Sequence, residues 1–294
     1  MTRHLLHSLA LASLLSACQG GPSPEPADGP RAEQAPNRDE TTPGAGAPTE
    51  VAAAQTTVPT QWQGWVAAQV DTVRDADPER FNALMDLQPA PTRAGMLRFR
   101  GDLIRSPDAA AILLHRLTTK SESTEVRAAI VEALPRTGAD VGTVVADLMT
   151  TETDAVVREM MADTLWRAPS DASVVALKRA LADASPGVRA AAARSAARHD
   201  KGTELSSELV AALGDPDDAT RLAAIAAVGA LKIDTAKEPL AAMLRDDEAD
   251  VRLASLRALG RVDAEYAASR PELAALQADT DTRVVTAANA LAAQ

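Results

Sequence analysis

The amino-acid sequence predicts an all-α protein, an α-solenoid of stacked helical hairpins. Three observations carry that prediction. A segment with helical patterning recurs six times, spaced 31, 31, 32, 31 and 31 residues apart. Every copy has arginine at its second position. Weaker helical patterns fill the intervals, so each unit reads as helix, turn, helix. One such hairpin cannot cover its own apolar face, and neighbours must stack.

Before the body, Arg3 is followed by an apolar run from Leu5 to Leu15, too short to span a bilayer as mature structure. The run closes on Leu15-Ser16-Ala17-Cys18, which contains the only cysteine of the chain. That tetrapeptide, at that depth behind an apolar core, resembles the lipobox of bacterial lipoproteins. The resemblance implies that residues 1–17 are a signal peptide and that the Cys18 thiol carries a diacylglyceryl anchor. Gln19, standing where aspartate would imply retention at the inner membrane, implies the outer membrane, with the chain facing the periplasm of the bacterial envelope. A single cysteine leaves no intrachain disulfide, so stability is expected to come from packing.

Residues 18–61 read as the lipidated cysteine and a disordered tether. Pro, Gly, Ala and polar residues dominate there, and burial cannot offset the entropy of ordering such a segment. As a random coil it would span roughly 35 Å. Residues 62–104 read as an N-terminal helical cap or diverged repeat. "QWQGWVAAQVDTVRDA" supplies a terminal helix, and "PERFNALMDLQ" with "TRAGMLRFRGDLI" one diverged hairpin; no sheet is expected. Trp62 and Trp65 have two readings, closing the open apolar end of the stack or binding sugar or lipid.

Residues 105–294 form the repeat array. The copies are "VRAAIVEALPR" from Val126, "VREMMADTLWR" from Val157, "VRAAAARSAAR" from Val188, "TRLAAIAAVGA" from Thr220, "VRLASLRALGR" from Val251 and "TRVVTAANALA" from Thr282. In the first, Val126, Ala129, Ile130, Ala133 and Leu134 lie on one helix face. The repeated arginines are Arg127, Arg158, Arg189, Arg221, Arg252 and Arg283. Asp183, Asp215 and Asp246 each stand six residues before the local arginine, where they suit the turn leading into the helix. Together these groups invite a structural ladder between adjacent hairpins. In the third copy small residues fill the inward places, which reads either as close helix packing or as a softer midpoint.

"DDEADVRLASLRALGR" carries a further resemblance: an Asp-containing turn, Val-Arg, then an Ala/Leu-rich helix ending at Leu-Gly. The units are similar to the short HEAT repeats also found in phycobilisome-linked lyases. The resemblance implies a right-handed superhelix in which second helices commonly line the face that binds partners.

Chemistry is sparse. His4 and His7 fall in the signal segment, while His115 and His199 belong to no metal-binding pattern. There is no Gly-x-Ser-x-Gly elbow and no phosphate loop. No cofactor is expected, no chromophore pocket is identified, and the protein is read as non-enzymatic. A net charge of −11 argues against nucleic acid as a partner. The surface candidate is Trp166, because the same place in the other copies holds Pro135, Ala197, Gly229, Gly260 and Leu291. Arg158, Arg167, Arg194 and Arg198 are expected near it. Trp166 either fills space beside the slim third repeat or contacts a partner, since Trp and Arg are enriched at interface hot spots. The function expected is a membrane-tethered scaffold or adaptor for a protein or peptide. The alternatives are a structural or assembly factor of the envelope and a regulatory subunit that activates an enzyme.

Overall fold

Most second helices start where a side-chain oxygen satisfies free backbone amides. Ser123, Asp154, Asp217 and Asp281 fill that role for four of them, and Pro186 opens a fifth at a position where its missing N–H costs nothing. The computed structural model describes Thr56, residues 58–93 and residues 95–293. They lie in the unit Val51–Gln294. The signal segment, Cys18 and the tether as far as residue 55 lie outside the described residues.

In chain order, α1 is Thr60–Ala76 and α2 Pro78–Asp86, followed by the two-residue strands β1, Ala90–Pro91, and β2, Leu97–Arg98. Hairpins follow: α3 (Pro107–Thr119) with α4 (Thr124–Ala133), α5 (Gly142–Leu148) with α6 (Ala155–Thr164), and α7 (Asp171–Ala180) with α8 (Pro186–Ala196). Then come α9 (Ser206–Ala211) with α10 (Asp218–Ala230), and α11 (Lys237–Ala242) with α12 (Ala249–Val262). The short helices α13 (Ala264–Ala268) and α14 (Glu272–Leu276) lead into α15 (Thr282–Ala292). The helices α4, α6, α8, α10, α12 and α15 pack one against the next. A continuous core runs through the stack from Val58 to Leu291. Among the described residues no helix is long and apolar enough to cross a membrane.

Three expectations need correction. The cap contains a strand pair, with Ala90 opposite Arg98 and Pro91 opposite Leu97. Helix is broken there by Pro89 and Pro91 and by Gly95 and Gly101, whose φ values of 82° and 95° suit residues without Cβ. Phe99, fully buried, fixes this hairpin to the stack, while Arg98 reaches Glu132 at 3.0 Å. Second, the folded body begins before residue 62. Helix α1 starts at Thr60, and Thr56 is buried with its hydroxyl donating to Glu152 Oε2 at 2.5 Å. Trp62 packs against the core, and its Nε1 donates to Asp147 of α5 at 2.7 Å, with Trp65 edge-on at 6.1 Å.

The third correction concerns register. In the first five hairpins the repeat arginine comes four residues after the helix-capping position, as in Asp154 to Arg158 and Glu248 to Arg252. In α15 that place after Asp281 is Val285, so Arg283 stands two residues early. Burial agrees, since Val284, Ala288 and Leu291 of α15 take the inward places that Val251, Ser255 and Ala258 take in α12. The sequence Thr-Arg matched the wrong pair. In the third hairpin, Val188, Ala190, Ala191, Ala192, Ala193, Ser195 and Ala196 are all buried. Small side chains there bring α8 close to both neighbours.

Candidate functional site

The ladder is built from one recurring loop. Glu152, Asp183, Asp215, Asp246 and Asp279 each accept the amide two residues ahead, at 2.8–2.9 Å. In Glu152, Asp183, Asp215 and Asp279 the remaining carboxylate capacity faces the arginine of the preceding hairpin. Arg158 forks onto Asp183 at 2.9 and 3.0 Å, Arg189 onto Asp215 at 2.7 and 2.8 Å, and Arg252 onto Asp279 at 2.8 Å. Each of these guanidiniums also donates from Nη1 to carbonyls of its own loop, as Arg189 does to Asp183 O at 2.9 Å. The arginine hydrogen bonds hold Asp183, Asp215 and Asp279 below the usual carboxylate range and raise the pKa values of their partners. Charge-assisted, bidentate pairs are the stronger kind.

The ladder is uneven. Arg127 pairs with Glu152 at 2.5 Å, both side chains almost wholly buried at 2% and 1% exposure. Arg221 turns to Asp218 of its own helix at 2.5 Å and leaves Asp246 without that partner. Arg283 takes Asp281 and, from the preceding hairpin, Asp250 at 2.9 Å. Its bond to Arg283 lowers Asp281 to about 2.

Trp166 lies in a short 3-10 turn after α6 and is half-buried. Arg167 stacks over its ring at 4.6 Å from the centroid, and Arg198 of the next hairpin at 5.1 Å. Its backbone N–H donates to Ser195 Oγ at 3.1 Å, but its indole Nε1 is covered and has no acceptor. A buried donor without a partner costs free energy. Arg194 reaches Glu159 at 3.8 Å and Asp163 at 3.7 Å, and Asp163 also faces Arg167 at 3.9 Å. The structure therefore gathers Trp166, Arg167, Arg194 and Arg198. Arg158 does not join them, because Asp183 holds it in the ladder. The register of α15 also alters the comparison behind Trp166: Leu291 is not its counterpart, and Ala293 takes that place.

Two features escaped the sequence. Met96, 59% exposed at the strand turn, and Val156, 53% exposed on α6, flank a groove of about 410 Å³. Met160 and Leu97 line it, and Glu125, Glu159 and Asp163 rim it. No repeat pattern signals this, because the strand pair is peculiar to the cap. The other is a contact between Ser173 Oγ and His199 Nε2 at 3.2 Å, with Asp200 Oδ1 at 2.9 Å from Nδ1. This outline looks like a nucleophile and base, yet its hydrogen bonds assign other roles. Lys201 N–H is shared between His199 Nδ1 at 3.1 Å and Asp200 Oδ1 at 2.9 Å, which ties the ring to its own loop. Ser173 Oγ is buried in the capping box of α7, donating to Ser170 O at 2.7 Å. Among the described residues no cluster of three or more His, Cys, Asp or Glu could hold a metal ion.

A family model of HEAT repeats matches residues 206–293, the stretch from α9 through α15. No curated protein matches the chain. The stacked hairpins and this match define a HEAT-repeat-like all-α fold.

Proposed function

We propose that the protein is a non-catalytic interaction module, a right-handed solenoid held to the bacterial envelope by lipid on Cys18 and a tether. The observation carrying the interaction reading is the surface at Trp166. An indole with an unpaired donor lies under two arginines, and Asp163, which faces Arg167, lines together with Arg194 a groove flanked by exposed Met96 and Val156. Isolated exposed apolar side chains need no explanation, whereas grouped ones rimmed by charge mark contact sites. The partner is a polypeptide whose apolar side chain enters the groove while its neighbouring groups meet Arg167, Arg194 and Arg198.

Crosslinking in native cells, repeated with Trp166→Ala and Arg167→Ala together, tests the reading. A partner captured by wild type and lost from the helical variant is expected. No reproducible partner, or a turnover measured on the isolated protein, would overturn it. Intact mass of detergent-extracted protein tests the anchor: Cys18 is expected to carry lipid, and a free thiol would remove that part alone.

A further inference from the structure

Aligning the hairpins on their capping residues exposes a second regularity. Nine residues after the repeat arginine stand Arg136, Arg167, Arg198, Ala230 and Arg261. Five residues after it stand Glu132 and Asp163 in the first two hairpins, but Arg194, Ala226 and Arg257 in the next three. These places are stacked neighbours: Arg167 and Arg198 share the Trp166 ring, and Arg194 reaches Asp163.

The column changes character along the stack. Arg136 is satisfied by Glu132 at 2.9 Å and by Phe99 O at 2.9 Å. From α8 onwards these two places hold no carboxylate. Arg198, Arg257 and Arg261 are exposed and make no ion pair with a described residue. Arg257 and Arg261 lie one helical turn apart, where like charges repel, an arrangement the fold does not need. Both also border a groove of about 480 Å³ between α12 and α15, floored by Leu256, Ala287 and Leu291. On α10, between the two arginine sites, the same two places hold the exposed residues Ala226 and Ala230. Nothing bulky there prevents close approach of another backbone.

We propose that an extended acidic segment of a partner protein binds across α8, α10 and α12. Its carboxylates pair with Arg198 at one end and with Arg257 and Arg261 at the other, and an apolar side chain enters the groove beside α15. Two helix-to-helix steps of about 8–10 Å each separate the two sites. A strand advancing about 3.3 Å per residue covers that distance in five or six residues, so two acidic clusters with that spacing match the column. Nucleic acid fits less well, because few free arginines stand on a chain of net charge −11. The proposal rests on the interaction-module reading and names the chemistry of its partner.

The test is fluorescence anisotropy with the full chain and a labelled peptide of about 12 residues carrying two Glu pairs at that spacing. Its Lys-for-Glu counterpart, phosphatidylglycerol vesicles and a short DNA duplex serve as comparisons. The acidic peptide is expected to bind, more weakly as salt rises, and the Lys peptide not at all. Arg198→Glu with Arg261→Glu should lower affinity about tenfold or more while helicity holds and the melting temperature moves little, because Arg261 makes no ion pair with a described residue and Arg198 only stacks on the Trp166 face. Failure of wild type to bind, binding untouched by the charge reversal, or equal affinity for vesicles or DNA would overturn the proposal. If the peptide fails while crosslinking at Trp166 still captures a partner, the interaction reading stands and the acidic segment falls. Loss of both removes both.

Discussion

Replacing Arg127 by methionine probes the most deeply buried rung of the ladder. The guanidinium donates to Thr56 Oγ1 at 2.6 and 3.1 Å and to Glu152 Oε2 at 2.5 Å, and its side chain is 2% exposed. Without it, Glu152 keeps the Asp154 amide and the Thr56 hydroxyl but loses the guanidinium bonded to it, and Asp154 loses its contact with that group at 3.6 Å. Removing one partner of a buried pair costs about 3–5 kcal/mol. For a body of this size each kcal/mol lowers the melting temperature by about 2–4 °C, so Arg127→Met should melt roughly 6–12 °C earlier even at the lower figure. Adding Glu152→Leu and Thr56→Val removes the stranded carboxylate and hydroxyl but also the acceptor of the Asp154 amide, so part of the loss should return, because well-packed apolar replacements of a buried pair are often neutral. Thermal circular dichroism of the single and combined variants, with hydrogen exchange on α4, measures both effects. A single-variant loss below about 1 kcal/mol, or a combined variant no better than the single one, would refute the reasoning.

A chain beginning at residue 61 should be less stable than one beginning at residue 50, because it loses Thr56 and leaves Arg127 and Glu152 short of a hydroxyl; comparing their melts checks this. Asp215→Asn should cost about 1.5–3 kcal/mol near neutral pH, the range for a hydrogen bond to a charged group. The folded pKa of Asp215 is lowered, so its contribution is full above the unfolded value near 3.9 and fades as pH falls through the lower folded value. Denaturant melts of wild type and variant should therefore converge at low pH, and a gap that persists there would contradict the assignment. A Cβ on Gly229 would lie 2.8 Å from Cα and Cβ of Ala258, whereas one on Gly260 would lie 3.4 Å from Leu291 Cδ1, the far end of a flexible side chain. Gly229→Ala should therefore destabilise by about 1–3 kcal/mol, while Gly260→Ala should be neutral or gain up to about 1 kcal/mol of helix propensity; calorimetry separates them.

The hairpins were legible because each one repeats both a 3.6-residue pattern and its loop chemistry, so local signals reinforce one another. The carboxylate–arginine ladder was half legible. Spacing revealed Asp183 and Asp215, but whether an arginine reaches across depends on geometry that leaves Arg221 with Asp218. Arg283 misled because Thr-Arg imitates Val-Arg, and only the position of the Asp281 cap reveals the two-residue offset. The cap was misread because its strand pair is too short to show alternation, and its signals were the prolines and glycines around it. At the candidate site, Trp166 stood out as the lone bulky residue among the internal repeats. The Met96 groove needed a residue from the cap and others from α6 and α4, a juxtaposition no linear pattern records.

The missing rung between Arg221 and Asp246 has a mechanical consequence. In a linear array each interface couples only nearest neighbours, so the array separates first where a joint lacks its clamp. Between α10 and α12 no fork spans the loops as Arg158, Arg189 and Arg252 do elsewhere, although Gly229 lets the helices touch closely. Packing there resists compression, while little in the loops resists shear. Under tension from an anchored N-terminus and a load bound near α12, that seam is where the last two hairpins would tear away as a unit.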